Sequence, residues 1–183
     1  MRFMEVSMWN LFVPDAYIGD LMMFDQVALS KQRVIACDID NTLIAHDVDV
    51  ADERAKRFLA YLQERGFQVI LVSNNRKARV ARFAQSVSLP YVAFAKKPLP
   101  FVFHQIKKKM HCQMDEIVLI GDQLLTDVLG AKLAHVFVVL CDPAVKRDLV
   151  YTKCNRQIEK WICARLAKKQ LFHKGEYYGK KNL

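Results

Sequence analysis

The sequence predicts an α/β fold, a three-layer doubly wound parallel sheet of about five strands with no cap domain. Three observations carry that expectation. Short apolar runs rich in β-branched residues alternate with longer stretches of helical period from residue 33 onward. Four of these runs lead into a polar, acidic or lysine-bearing loop. The length of 183 residues, with 52% hydrophobic content and only 6 Gly and 5 Pro, suits one domain with a core and leaves little room for linkers or disorder.

Residues 1–32 come first and hold Met8, Trp9, Leu11, Phe12, Val13, Tyr17, Ile18, Leu21 and Phe24. Such a segment is too apolar for a solvated arm. Docking on the sheet is its expected fate, the other reading being an amphipathic segment at a membrane surface. Strands are expected at 34–37, 67–72, 91–94, 116–120 and 135–140. Between the first two, Asp52 can cap a helix whose apolar residues Ala55, Phe58, Leu59 and Leu62 recur at three and four, ending before Gly66. Further helices are expected at 77–86, 100–110 and 127–134, each a right-handed crossover to the next parallel strand. After Asp142-Pro143 the chain reads as a basic helix and tail, 144–183, with Ile158, Trp161, Ile162 and Leu166 on one face.

Charge separates body from tail. Residues 1–145 carry 17 basic and 16 acidic side chains, whereas residues 146–183 carry 11 and 3, so the tail supplies most of the net +9. That tail suits an anionic membrane surface or RNA, or simply solvent. Five cysteines at irregular spacing, without CxxC, read as free thiols in a reducing compartment and hence a cytoplasmic protein, peripheral to a membrane if the tail binds one. No uncharged run approaches the ~20 residues of a membrane-spanning helix.

In open α/β sheets, ligands bind beyond the carboxyl ends of the strands. The loops there are Asp38-Ile39-Asp40-Asn41-Thr42, Ser73-Asn74-Asn75, Ala95-Lys96-Lys97-Pro98 and Gly121-Asp122-Gln123-Leu124-Leu125-Thr126-Asp127. Asp38 and Asp40 are two apart on extended backbone and so share a side. Like charges so close imply a shared proton or a bound cation. Asp122 and Asp127 add carboxylates to the same rim, a hard oxygen set that suits Mg²⁺ rather than zinc. Ser73 offers a hydroxyl, the amides around Asn74 and Asn75 can face an anion, and Lys97, rather than Lys96, offers a fixed positive charge. Together these describe a phosphoryl site, with an aspartate as nucleophile. The histidines at 46, 104, 111, 135 and 173 show no ligand spacing and read as structural or exposed.

In order and spacing, this set resembles the class IIIA phosphatases of the haloacid dehalogenase (HAD) superfamily, in particular the YqeG family, which is similar to mitochondrial phosphatidylglycerophosphate phosphatases. Pro14-Asp15-x-Tyr17 and the basic stretch 155–165 extend the likeness. The resemblance implies an HAD-like Rossmannoid fold, Asp38 as nucleophile and Asp40 as acid and base. It implies Mg²⁺ held by Asp38, the Asp40 carbonyl and Asp122, with Asp127 as a direct or water-mediated ligand or else a helix cap. Ser73 would bond the phosphoryl group, Lys97 would neutralise it, and Thr42 would brace the loop. HAD relatives insert cap domains after the first or second of these loops, and neither place has room here. An open site suits a phosphate presented by something large, such as a phospholipid headgroup, unless a neighbouring subunit closes it. A different class of function, ribosome or RNA association through the tail, is the alternative expectation.

Overall fold

The described residues of the computed structural model are 8–144 and 150–176, the side chains of 150–156 excepted. Residues 145–149, and the end of the predicted tail with Tyr177 and Tyr178, lie outside them.

The five expected strands all form: β2 (Val34–Asp38), β3 (Gln68–Val72), β4 (Tyr91–Val92), β5 (Ile117–Gly121) and β6 (Phe137–Cys141). A sixth, β1 (Ala16–Ile18), comes from the apolar N-terminal segment. It pairs in parallel with β6, Ala16 opposite Val139, and makes the sheet order β1-β6-β5-β2-β3-β4. Its three residues give too short a pattern to read as a strand; the edge of β6 supplies the partner. Asp15 explains how the segment is held. Its carboxylate accepts the Val138 N–H at 2.9 Å and pairs with Lys132.

Alternation along the strands builds two cores. Ile35 and Cys37 face one side, against helices α1 (Glu53–Glu64) and α2 (Lys77–Val87). Val34 and Ala36 face the other, against α3 (Phe101–Met110), α4 (Leu129–Leu133) and α5 (Val150–Lys168). The α1 reading holds in detail: Asp52 accepts the Ala55 N–H at 2.8 Å, Ala55, Phe58, Leu59 and Leu62 are the buried residues, and Gly66 follows with φ +84°. Fully burying each of Phe58, Leu59 and Leu62 contributes about 1.5–3 kcal/mol. The amphipathic face of α5 is only half covered. Ile162 and Leu166 are buried, whereas Ile158 and Trp161 stay exposed. Trp161 meets Trp9 at 5.6 Å between ring centroids and Arg165 at 5.2 Å, so its partners are a ring and a cation rather than the sheet.

The strand order reverses between β2 and β5, and that switch point is where an open α/β sheet leaves a crevice. Neither neighbouring connection holds an inserted domain. The stretch from 39 to 52 is a loop with one bridge, Asp40 to Ile44, and that from 73 to 97 holds only α2 and β4. Among the described residues no helix is long and apolar enough to cross a membrane.

Candidate active site

β2 ends on Asp38, and the chain then turns sharply. Asn41 adopts φ +64°, a conformation asparagine tolerates, and its N–H donates to the Ile44 carbonyl at 2.8 Å. This leaves Asp38 buried at the switch point. Beside it, β5 ends on Gly121-Asp122, and a π-helical turn, Leu124–Val128, carries Asp127 back over the strand end. Gly121 is required there, since a Cβ on it would lie 2.4 Å from Asp127 Cγ. Asp127 is therefore not the N-cap of a helix from 127 onward. The helical turn starts earlier, at Leu124, and Asp127 reaches back to accept the Gln123 N–H at 3.1 Å.

The fourth loop delivers the cation. Lys97 Nζ lies 2.5 Å from Asp38 Oδ1 and 2.6 Å from Asp127 Oδ1, and the whole lysine is buried. Its backbone is gripped by Asn74, whose Oδ1 accepts the Lys97 N–H at 2.8 Å and whose Nδ2 donates to the Lys97 carbonyl at 3.1 Å. Lys96 is exposed, as expected. Gly130 lets α4 approach this loop: a Cβ there would sit 3.1 Å from Pro98 Cα.

Carboxylate oxygens of Asp38, Asp122 and Asp127 all lie within 4.8 Å of one another, in burial. Burial, ahead of every other cause, pushes Asp38 up to about 7; the Asp127 and Asp40 charges add to this and Lys97 opposes it. Asp122 is raised well above the usual carboxylate range by burial and by the charges of Asp38 and Asp127. Lys97 is raised, since its two carboxylate partners outweigh its own desolvation. Three carboxylates against one ammonium leave negative charge uncompensated in a low dielectric. Hard oxygen donors in that state fit a divalent cation, which would balance them. Asp38, Asp122 and Asp127 could hold it. Thr42, fully buried, braces the set from 3.4 Å at Asp122 Oδ1.

The Asp40 carboxylate stands outside this cluster. Its Oδ2 accepts the Ser73 hydroxyl at 2.6 Å, and Ser73 in turn accepts the Asn75 N–H at 2.9 Å. Asn75 also caps Arg76, its Oδ1 accepting that N–H at 2.8 Å. The polar groups of Asn74 and Asn75 thus shape the loop and seat Lys97, and Ser73 joins the second loop to the first. His46 sits with Nδ1 3.3 Å from Asp40 Oδ1, which its position in the sequence did not announce. Two further contributors lay beyond sequence reasoning. Arg79, on α2, places Nη1 2.6 Å from Asp40 Oδ1. Glu159, on the basic helix α5, accepts the Leu125 N–H at 3.2 Å and steadies the turn that bears Asp127. Single charged residues in helices carry no spacing signal that separates them from a solvated face.

A reversing parallel sheet with a buried aspartate at the end of its central strand, a buried lysine and an acidic cluster that fits a cation leads to a class, the haloacid dehalogenase-like hydrolases. Residues 25–135 match that family. The chain is 33% identical over 162 residues to "Probable phosphatase YqeG" of Bacillus subtilis (strain 168), covering 87% of this chain and 94% of that one. It belongs to the HAD superfamily and, within it, to the YqeG family of HAD-type phosphatases. Solved structures share the fold. A hypothetical protein from Xanthomonas campestris aligns with TM-score 0.51 at 14% identity over 97% of this chain and 83% of its own. The cobalt-bound deoxy-D-mannose-octulosonate 8-phosphate phosphatase YrbI of Haemophilus influenzae aligns with TM-score 0.50 at 14% identity, over 78% and 93%.

Proposed function

We propose that the protein is a Mg²⁺-dependent phosphomonoesterase that works through an aspartyl-phosphate on Asp38 and acts on phosphate presented by a large or lipid substrate. The observation that carries the reaction is the Asp38 carboxylate in a buried acidic cluster, with Lys97 2.5 Å away. Bound Mg²⁺ would supply charge balance for the carboxylates and for the phosphoryl oxygens.

In this reading Asp38 attacks phosphorus, forming an O–P bond as the ester P–O bond breaks. The departing oxygen takes a proton from Asp40. Asp40, now a carboxylate, removes a proton from water, which displaces phosphate from Asp38 and restores it. Lys97 faces the charge on Asp38 and on the phosphoryl group throughout. Ser73, whose hydroxyl points at Asp40 in the free protein, turns to donate to a phosphoryl oxygen. The acid contributes about 10²–10⁴ and one fixed charge about 3 kcal/mol. Nucleophile and positioning carry the rest.

The substrate clause rests on openness and on the rim. With no inserted cap, apolar side chains that a soluble metabolite does not require stay exposed in the segment around Lys97: Phe94, Leu99 and Phe101 are 56%, 48% and 62% exposed. Lys96 adds an exposed positive charge next to Lys97. The basic tail would reinforce contact with an anionic bilayer, making the enzyme peripheral at the membrane. Phosphatidylglycerophosphate, the lipid implied by resemblance, is the natural first substrate. Presented in anionic vesicles, it should be hydrolysed with kcat/KM at least tenfold above that of soluble glycerol phosphate, with activity lost on chelation and restored by Mg²⁺. Equal or inverted values would reject the lipid clause; turnover undiminished by a chelator would reject the metal clause.

Acidity gives a second test. In the cation-free protein Asp38 is raised to about 7 from its ordinary 3.8, so the folded state holds a proton that the unfolded chain gives up at lower pH. The Asp38 contribution to stability therefore falls as pH rises from about 4 to about 7 and is level above that. Magnesium must displace this proton at pH 6 but not at pH 8. The Mg²⁺-induced rise in Tm is expected to be larger at pH 8, by several degrees at equal metal concentration. The same shift at both pH values would show that the cation does not bind against Asp38.

A further inference from the structure

Arg79 is an unusual side chain for the first turn of a surface helix, since only 11% of it is exposed. Its head is inserted between α2 and the loop that follows β2. Nη2 donates to the Val48 carbonyl at 2.8 Å and reaches the Ala45 carbonyl at 3.5 Å, while Nε stands 3.3 Å from Asp49 Oδ1. Arg82, one turn further on, bonds Asp49 Oδ2 through Nε at 3.0 Å. Two arginines on one face of α2 therefore pin residues 45–49 down.

The remaining contact reaches the chemistry. Arg79 Nη1 lies 2.6 Å from Asp40 Oδ1 as a close ion pair, yet the angles miss hydrogen-bond geometry, and Asp40 Oδ1, Arg79 Nε and Arg79 Nη1 are all buried without a hydrogen bond. A buried guanidinium that fails to satisfy its donors fully is costly, and such groups call for a reason. Ser73 holds the other oxygen, Oδ2, at 2.6 Å. Asp40 is thus suspended between a hydroxyl on one side and, on the other, the Arg79 cation at 2.6 Å with the exposed His46 ring farther off at 3.3 Å.

We propose that Arg79 is a positioning residue for phosphate-ester cleavage, acting through Asp40. It fixes the direction of the carboxyl group and faces the charge that appears there when the proton leaves for the ester oxygen. The step balances within the reaction already described: the Asp38 O–P bond forms, the ester P–O bond breaks, the Asp40 proton moves to the departing oxygen, and Asp40 is left ionised beside Arg79. This rests on Asp40 being the acid. The incomplete hydrogen-bond geometry leaves Arg79 able to follow the carboxyl as it changes charge, while Val48 and Asp49 keep its head in place.

The test is the dependence on leaving group. An alkyl phosphate needs its departing oxygen protonated; 2,4-dinitrophenyl phosphate does not. The quantity kcat/KM reports steps up to the first irreversible one, so it isolates cleavage from the later attack of water. Arg79→Met should lose about 100-fold on the alkyl ester and less than tenfold on the dinitrophenyl ester, within the range of general acid catalysis. Arg79→Lys, which keeps the charge and loses the fork, should recover part of the alkyl loss. Arg82→Met removes the second pin on Asp49 while leaving the contacts of Arg79 and Asp40 in place, and should show no such split. Asp40→Asn serves as the reference. If it splits the two substrates and neither Arg79 variant does, Arg79 is only structural and the inference is overturned. If Asp40→Asn itself shows no split, it is the reading of Asp40 as the acid that fails. Arg79→Lys decides the matter should Arg79→Met not fold.

Discussion

Asp38→Asn should lower phosphate release by 10⁴-fold or more, a loss on the order of that seen when a nucleophile is removed. Asparagine keeps the shape of the side chain but cannot form the phosphoryl ester. Stability separates this from a structural defect. Burial opposes the Asp38 charge, and Asp127 remains to pair with Lys97 at 2.6 Å, so the cation-free variant should melt no lower than the parent at pH 8. Its Tm should also respond less to Mg²⁺. The measurements are phosphate release, acid-stable trapping of labelled phosphate on the protein, and thermal melts with and without metal. Residual turnover within a factor of ten of the parent would remove Asp38 from the chemistry.

Lys97→Met has the second-largest expected effect and combines two losses. Three buried carboxylates would face one another without their ammonium, and removing one partner from a buried pair costs about 3–5 kcal/mol. For a chain of this size that corresponds to a fall in Tm of roughly 10 °C. Mg²⁺ should restore part of it, because a divalent ion answers the same uncompensated charge. Activity should not return with stability, since the charge that faced the phosphoryl group is gone. Melting curves and kcat at saturating Mg²⁺ check both parts. A variant as stable as the parent without metal would mean that Lys97 does not offset the repulsion among the carboxylates.

The exposed apolar residues around Lys97 bear on the lipid reading. Phe94 holds φ +49°, and its N–H donates to the Asn75 carbonyl at 3.2 Å, so its backbone is tied to the second loop while its ring stays outside. A membrane-facing role would connect that ring directly to the loop bearing Ser73.

Much of this protein was readable from its residues in order. The alternation of strand residues predicts which side chains enter each of the two cores, and the spacing of Ala55, Phe58, Leu59 and Leu62 predicts a helix with its cap and its stop, because both periods are properties of the backbone itself. The four chemical loops were legible for the same reason: a parallel α/β sheet sends every strand's carboxyl end to one rim, so Asp38, Ser73, Lys97 and Asp122 had to converge. What lay beyond one dimension depends on contacts between distant segments. Edge pairing with β6 makes Ala16–Ile18 a strand. Close packing makes Gly121 necessary beneath Asp127. Arg79, 39 residues from Asp40, and Glu159, 34 residues from Leu125, reach the site only because the packed helices put their heads there. A charged side chain gains a specific role from the groups that surround it in burial, and those groups are assembled by the tertiary fold.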